Sequence, residues 1–306
     1  MVEPAHVPSA FLGFFDDAAV FPPGLAPLDQ AIAEHVARRR TPLAAAVGPL
    51  VLPLADLPRA RELAAGRDLS AGPVRISVVT PAGGLSAALE ARAAGPELRI
   101  TAVELKTSPE QADWERELAE AAAAAAATGI QIYVELTAGQ IAAGALDTIA
   151  GTGVRLKYRT GGIEDHLFPT PAQLAATLAS AVGKEIPFKL TAGLHQAVRY
   201  TNPVTGFTHH GFLNIAVAAA LARQGGAAGQ LEEALLETDS HALTVRFQSL
   251  SSAAAISPDW RREFISFGTC SVAEPAESLE ELGLLPAGTA AAQTTHVQTE
   301  QEATPA

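Results

Sequence analysis

With 306 residues, 48% of them apolar, the chain is long enough for one large domain or two small ones and too apolar to be disordered throughout. A net charge of -12 leaves no basic footprint, so nucleic acid and anionic membranes are not expected partners. A single cysteine, Cys270, excludes an internal disulfide and a cysteine-built zinc site.

Outside the Ala-rich helical stretches no apolar run approaches the ~18 residues of a membrane span. The opening MVEPAHVPSA lacks the basic and apolar regions of a signal peptide, so a soluble, cytoplasmic protein is the expectation.

Short apolar runs alternate with Ala/Leu/Glu-rich segments, the pattern of an α/β fold with parallel strands. FLGFF (11–15) leads into Asp16, Asp17 and a Pro-Pro-Gly turn at 22–24, and AAVGPLVLP (45–53) follows. VRISVVT (74–80) precedes Gly83-Gly84, and LRITAVELK (98–106) precedes Thr107-Ser108-Pro109, a helix-start signal. IQIYVEL (130–136), VRLKY (154–158), IPFKL (186–190) and EFISFG (263–268) complete eight predicted strands. Helices are predicted near 27–40, 56–65, 85–94, 109–128, 138–150, 171–183, 210–224 and 275–284.

The count fits a single (β/α)8 barrel over residues 1–286. The wide gap between the seventh and eighth strands places an insertion at about 195–262, with THHGFLNIAVAAALA, the Gly-rich QGGAAGQ and further helices lying over the barrel mouth. Residues 287–306, polar, small and aperiodic, are expected to be a disordered tail.

Lysine is scarce: Lys106, Lys157, Lys184 and Lys189 are the only four among 21 basic Lys and Arg residues. Three of them stand at strand ends, where a barrel places its chemistry. Unlike arginine, lysine can lose its proton and act as a nucleophile. Side chains two apart share a strand face, which groups Glu104 with Lys106 and Arg155 with Lys157 and Arg159. Inward-facing strand ends converge in a barrel, so Glu104, Lys157 and Lys189 are expected to meet. Two ammonium groups in one apolar pocket disfavour each other's charge, and burial adds to this, so one amine is expected to be partly neutral near pH 7. Such an amine attacks carbonyls to form a Schiff base, with the nearby carboxylate moving protons. The same residues also fit structural ion pairs of the lysines with Glu104 and Glu135.

The segment order resembles the deoxyribose-phosphate aldolase family of Schiff-base aldolases from about residue 11 to 284. LKYRTGG resembles that family's Schiff-base strand, Lys-Thr-x-Thr-Gly, and FKLTAGLHQAVR its second lysine strand, Lys-x-x-Gly-Gly-x-Arg. AVELK resembles Val-Asp-x-Val, YVELTAGQ resembles Ile-Glu-Thr-Gly-Glu, and FGTCSVAEPAESLEELGLL resembles the closing Phe-Gly-x-Ser-Ser segment and terminal helix. The resemblance implies a (β/α)8 barrel and an aldolase-like lyase acting on a small aldehyde or ketone, with or without a phosphate, and requiring neither metal nor organic cofactor. It implies that Lys157 forms the imine, Lys189 tunes that amine and Glu104 shuttles protons through water. Asp16, Lys106, Glu135, Arg159, Gly161, Gly162, Gly193, His195, His210, Gly268, Thr269 and Ser271 complete the expected substrate site. This chain has Glu at 104 where the family has Asp, which shifts the acid's reach, and Ala192-Gly193 for Gly-Gly and His195 for Arg, which weaken the anion site.

Two other readings use the same residues. One is an isomerase or lyase in which Glu104, Lys157 and His195 work as acids and bases without a covalent intermediate. The other is a non-catalytic barrel that grips a small anion through Arg155, Arg159 and Arg199. His195, His209 and His210 with Glu135 or Asp16 could ligate zinc or manganese, but their spacing is unlike a helical His pair, and no metal is expected. One histidine is expected to cap the helix starting near Gly211, another to contact substrate as part of a lid. Asp16-Asp17 read most simply as turn caps. Oligomerisation through copies of the same chain stays open.

Overall fold

The structure, a computed structural model, describes residues 6–93, 95–250 and 258–290. Eight parallel strands close a barrel: β1 (Phe15–Asp17), β2 (Val47–Pro53), β3 (Val74–Thr80), β4 (Leu98–Lys106), β5 (Gln131–Glu135), β6 (Arg155–Arg159), β7 (Phe188–Thr191) and, after a short hairpin of β8 (Tyr200–Thr201) and β9 (Thr208–His209), β10 (Phe264–Thr269). β10 pairs with both β7 and β1 and so closes the ring. Helices follow the strands: α1 (Leu28–Arg38), α2 (Leu57–Ala65), α3 (Leu85–Glu90), α4 (Gln111–Thr128), α5 (Ala138–Ala142) and α6 (Ala145–Ile149), α7 (Pro171–Gly183), α8 (Phe212–Arg223) and, after β10, α11 (Ala273–Glu281), with α9 (Ala228–Leu236) and α10 (Ser240–Leu250) between α8 and β10. The (β/α)8 barrel expected from the sequence is thus the observed fold.

Helix boundaries follow local chemistry. Thr170 caps α7 reciprocally with Gln173, next to Pro171, and Thr137 does the same for α5 with Gln140. α4 stops at Gly129, whose left-handed backbone (φ 65°) lets its N–H bond Ala125 O. Among the described residues no helix is long and apolar enough to cross a membrane.

Three expectations are corrected. The first strand is not FLGFF: Ser9–Phe11 form a 3-10 turn and the strand is Phe15–Asp17, so Asp16 and Asp17 are strand residues and not turn caps. Helix α8 is no lid. It is the outer helix that follows β7, buried from Phe212 through Ala220 because α7, α9 and α10 pack around it. Nor do α9 and α10 cover the mouth. Phe247 of α10 stacks on Phe11 and meets Trp260 edge-on, at the end of the barrel where β1 and β10 begin. Only the β8–β9 hairpin stays with the loops that follow the strands. At the other terminus, Gly288 and Ala290 donate backbone N–H bonds to Glu280. The remainder of the expected tail, from 291, and residues 251–257 lie outside the described residues.

Candidate active site

Strand register brings the predicted residues together. Lys157 lies opposite Lys189 on β7 and Glu135 on β5, and Lys189 lies opposite Ser266 on β10. The Glu104 carboxylate bridges the two lysines: Lys189 Nζ donates to Oε1 at 2.6 Å and Lys157 Nζ sits 2.8 Å from Oε2. Lys189 Nζ also donates to Asp16 Oδ2 (2.5 Å), and Lys157 Nζ sits 2.9 Å from Glu135 Oε2. Arg159 reaches Glu135 Oε1 at 3.4 Å. The result is a row of alternating charge, Asp16, Lys189, Glu104, Lys157, Glu135, Arg159, running from the barrel interior to its rim. Side-chain exposure is lowest at Glu104 (1%) and rises from there through Lys157 and Glu135 to 39% at Arg159.

Three further residues, absent from the sequence reading, support this row. Ser77 Oγ donates to Glu104 Oε1 (2.6 Å), and Ser266 Oγ donates to Asp16 Oδ2 (2.8 Å). The Tyr133 ring lies 5.5 Å from Lys189 Nζ, within cation–π range, and its hydroxyl accepts a bond from Arg155 at 3.2 Å. A signal for each existed: an inward-parity hydroxyl in an otherwise apolar strand must find a polar partner inside the barrel.

The electrostatics correct one expectation. Two facing ammonium groups were to make one amine partly neutral, yet both lysines are held above the ordinary lysine range. Burial opposes the charge of each, but Glu104 and Glu135 outweigh it at Lys157, and Asp16 and Glu104 at Lys189. The mutual repulsion is present and is the weaker effect. Burial likewise opposes charge on Glu104 and Glu135, and the lysines override it, holding both carboxyls below their ordinary range. Asp16 differs, since burial dominates and pushes its carboxyl up.

The remaining predicted residues surround the mouth or turn elsewhere. Lys106 is exposed at the end of β4, in register with Glu135, and helps lower that carboxyl. Gly161 and Gly193 allow the β6 and β7 loops to touch: a Cβ on Gly161 would lie 2.9 Å from Gly193 Cα. Gly162 packs against Leu167, whereas Gly268 is bare of such pressure. Thr269 Oγ1 donates to Ser271 O (2.8 Å), and Ser271 Oγ accepts from Glu274 N at the start of α11 (3.5 Å). His195 pairs with Glu274 (2.7 Å). His210 donates from Nε2 to Pro169 O (2.8 Å), and Arg199 reaches its Nδ1 at 3.3 Å. Burial pushes the His210 ring down to about 4, so it is neutral and ties two loops together. Gly211 caps α8 without a side-chain bond, so neither histidine has the expected capping role. His209 donates to Gly193 O (2.9 Å) and stacks on Tyr200. Among the described residues no group of three or more His, Cys, Asp or Glu is placed to hold a metal ion.

Half of the rim is locked by side chains. Glu117 of α4 accepts from Gly83 N and from Ser108 N and Oγ, and Gln140 donates to Ser108 O, which joins the loops after β3, β4 and β5. On the other half, Ala192 holds a left-handed backbone (φ 63°), which costs an L-residue about 1–2 kcal/mol. Ala192→Gly is therefore expected to stabilise the fold by about 0.5–1 kcal/mol, relief of strain exceeding the added freedom of the unfolded chain. A urea midpoint that falls in this variant would show that Ala192 carries no net strain.

No family model and no curated protein matches the chain. Among solved structures it is similar to a dihydrodipicolinate synthase family protein from Coccidioides immitis, at 16% identity and a TM-score of 0.37, with 96% of this chain and 99% of the other covered.

Proposed function

We propose that the chain is an aldolase-like lyase that forms a Schiff base between Lys157 and a small aldehyde or ketone, at the mouth of the barrel. One observation carries the reading: a single buried carboxylate, Glu104, holds two lysine amines from adjacent strands inside the barrel, with Lys157 in register with Glu135 at the end of β5. A purely structural role is a poor account of five buried or nearly buried charges, because apolar residues of similar volume fill such space at no cost and often with gain. Titratable groups perturbed by burial and by specific charge partners are functional-site candidates.

The two amines suit different tasks. Lys189 is hydrogen-bonded to two carboxylates and lies against Tyr133, which fixes it as a permanent cation. Lys157 pairs with Glu104 and with the partly exposed Glu135, one step nearer the rim along the row of charges. The raised affinity of Lys157 for its proton does not oppose imine formation. An ammonium and a protonated imine carry the same charge at the same nitrogen, so the carboxylates that favour one favour the other. Only the neutral carbinolamine stage forgoes their attraction. Lys106 and Arg159 at the rim give the mouth positive charge, which suits a substrate bearing a carboxylate or phosphate.

Borohydride trapping tests this. After incubation with a panel of small aldehydes and ketones, reduction should leave an adduct on the peptide containing Lys157, none on Lys189, and none in Lys157→Ala. The protonated state of both lysines favours a second reading, in which Lys157 acts as an acid and the carboxylates as bases with no covalent step. Turnover of a substrate that leaves no adduct after reduction would select it.

A further inference from the structure

Glu104 and Glu135 both touch the Lys157 amine, and they differ in every other contact. Glu104 is 1% exposed, and its Oε1 already accepts bonds from Lys189 and Ser77. A proton on Glu104 would leave two cations without the anion between them. Glu135 ends β5 with its side chain 14% exposed, and its buried Oε2, 2.9 Å from Lys157 Nζ, has that amine as its ion-pair partner, where Glu104 holds two. Its other oxygen faces Arg159, itself 39% exposed at the rim. A proton passed from Lys157 to Glu135 Oε2 therefore neutralises both partners of that contact together, and the side chain that carries it borders the rim beside Arg159.

We infer that Glu135 is the catalytic proton shuttle for Lys157, while Glu104 is the fixed anion that holds the two amines. The inference rests on the Schiff-base reading. The Lys157 N–H bond breaks, its electron pair stays on nitrogen, and the proton passes to Glu135 Oε2. The amine pair forms the C–N bond as the carbonyl π pair moves to oxygen. A nitrogen proton then moves to that oxygen and gives the neutral carbinolamine. Glu135 returns its proton to the hydroxyl, which leaves as water while the nitrogen pair forms the imine. Protonated lysine and carbonyl enter, protonated imine and water leave, and Glu135 ends as it began. The charged groups facing Glu135 are Lys157 and Arg159 of β6 and Lys106 of β4, all cations. Among them Lys157 lowers the carboxyl's proton affinity most, so that affinity rises as Lys157 gives up its charge.

Reductive capture of acetaldehyde, with cyanoborohydride in excess and the adduct mapped by mass spectrometry on the full chain, separates the possibilities. Were Glu135 only an anion that keeps Lys157 protonated, Glu135→Gln would free the amine and speed capture. As a shuttle its loss slows capture at neutral pH by about 100-fold or more, and added formate restores part of the rate. Equal or faster capture in Glu135→Gln overturns the assignment of Glu135 and leaves the imine at Lys157 standing. No adduct on Lys157 in the unaltered chain overturns the Schiff-base reading and this inference with it. Should Glu135→Gln fail to fold, Glu135→Asp carries the test. It keeps the charge but withdraws the oxygen by one methylene, and unchanged capture in it overturns the shuttle.

Discussion

Glu104→Ala should lose about 3–5 kcal/mol of folding stability, the range for removing one partner from a buried ion pair. The loss is larger than for an exposed pair because nothing replaces the carboxylate. Lys157 and Lys189 would face each other across a cavity, each left with one remaining acid, and Ser77 would lose its acceptor. Glu104→Gln should lose less, since its amide oxygen can still accept one of these bonds, yet it provides no charge to separate the amines. Urea unfolding of the three proteins at neutral pH measures the difference, and a midpoint in Glu104→Ala within error of the unaltered chain would rule out the carboxylate as the anchor of the row.

The pH dependence of stability follows from the same contacts. Glu104 and Glu135 are lowered in the folded state, so their contribution is present above the unfolded value of about 4.3 and fades as pH falls through the folded one. Lys157 and Lys189 are raised, so theirs is complete below about 10.4 and fades as pH rises through the folded values. Asp16 is raised as well, and for an acid this means that its ionisation works against folding as pH climbs past about 3.9. Between about 4.3 and 10.4 the contributions of these two glutamates and two lysines are all present.

Much of this architecture was legible in the sequence because periodicity reports burial directly. VRISVVT, LRITAVELK and VRLKY alternate or run apolar as barrel strands must, and their spacing left room for one helix each. Strand parity was enough to put Glu104, Lys157 and Lys189 on inward faces. The first strand was hidden because its last two residues are aspartates, which in sequence resemble a turn. They are tolerated inside because their partners come from elsewhere: Lys189 is 173 residues away from Asp16. Partner choice was likewise invisible at the lysines. Sequence placed the amines near each other but could not weigh their repulsion against three carboxylates, because that balance depends on distances of 2.5 to 2.9 Å. Helix α8 misled for a related reason. Its all-round apolarity is that of a helix buried by α9 and α10, and no pattern within the helix itself tells such burial from a lid.

Asp17 provides the contrast that separates site from scaffold. It follows Asp16 directly and therefore points to the opposite side of β1, towards α1, where its Oδ2 lies 2.9 Å from His35 Nδ1 and accepts from Arg38 Nη1 at 2.5 Å. The carboxyl is 1% exposed, and although burial opposes its charge, the His35 bond and the Arg38 charge hold its pKa below the ordinary range. Asp17→Ala is expected to lose about 3 kcal/mol, the lower end of the range for a broken buried pair, because Arg38 keeps its 2.9 Å contact with Glu34. The contribution is present above the unfolded value of about 3.9 and disappears as pH falls through the folded one, so the gap between variant and parent should narrow in acid. Asp16 and Asp17 thus make opposite predictions on capture. Below its unfolding transition Asp17→Ala should trap acetaldehyde on Lys157 at the parental rate, because no contact of Asp17 enters the barrel, whereas Asp16→Ala releases Lys189 from one of its two acids. If Asp17→Ala slows capture as much as Asp16→Ala does, the two faces of β1 are not independent and the row of charges extends beyond the barrel interior.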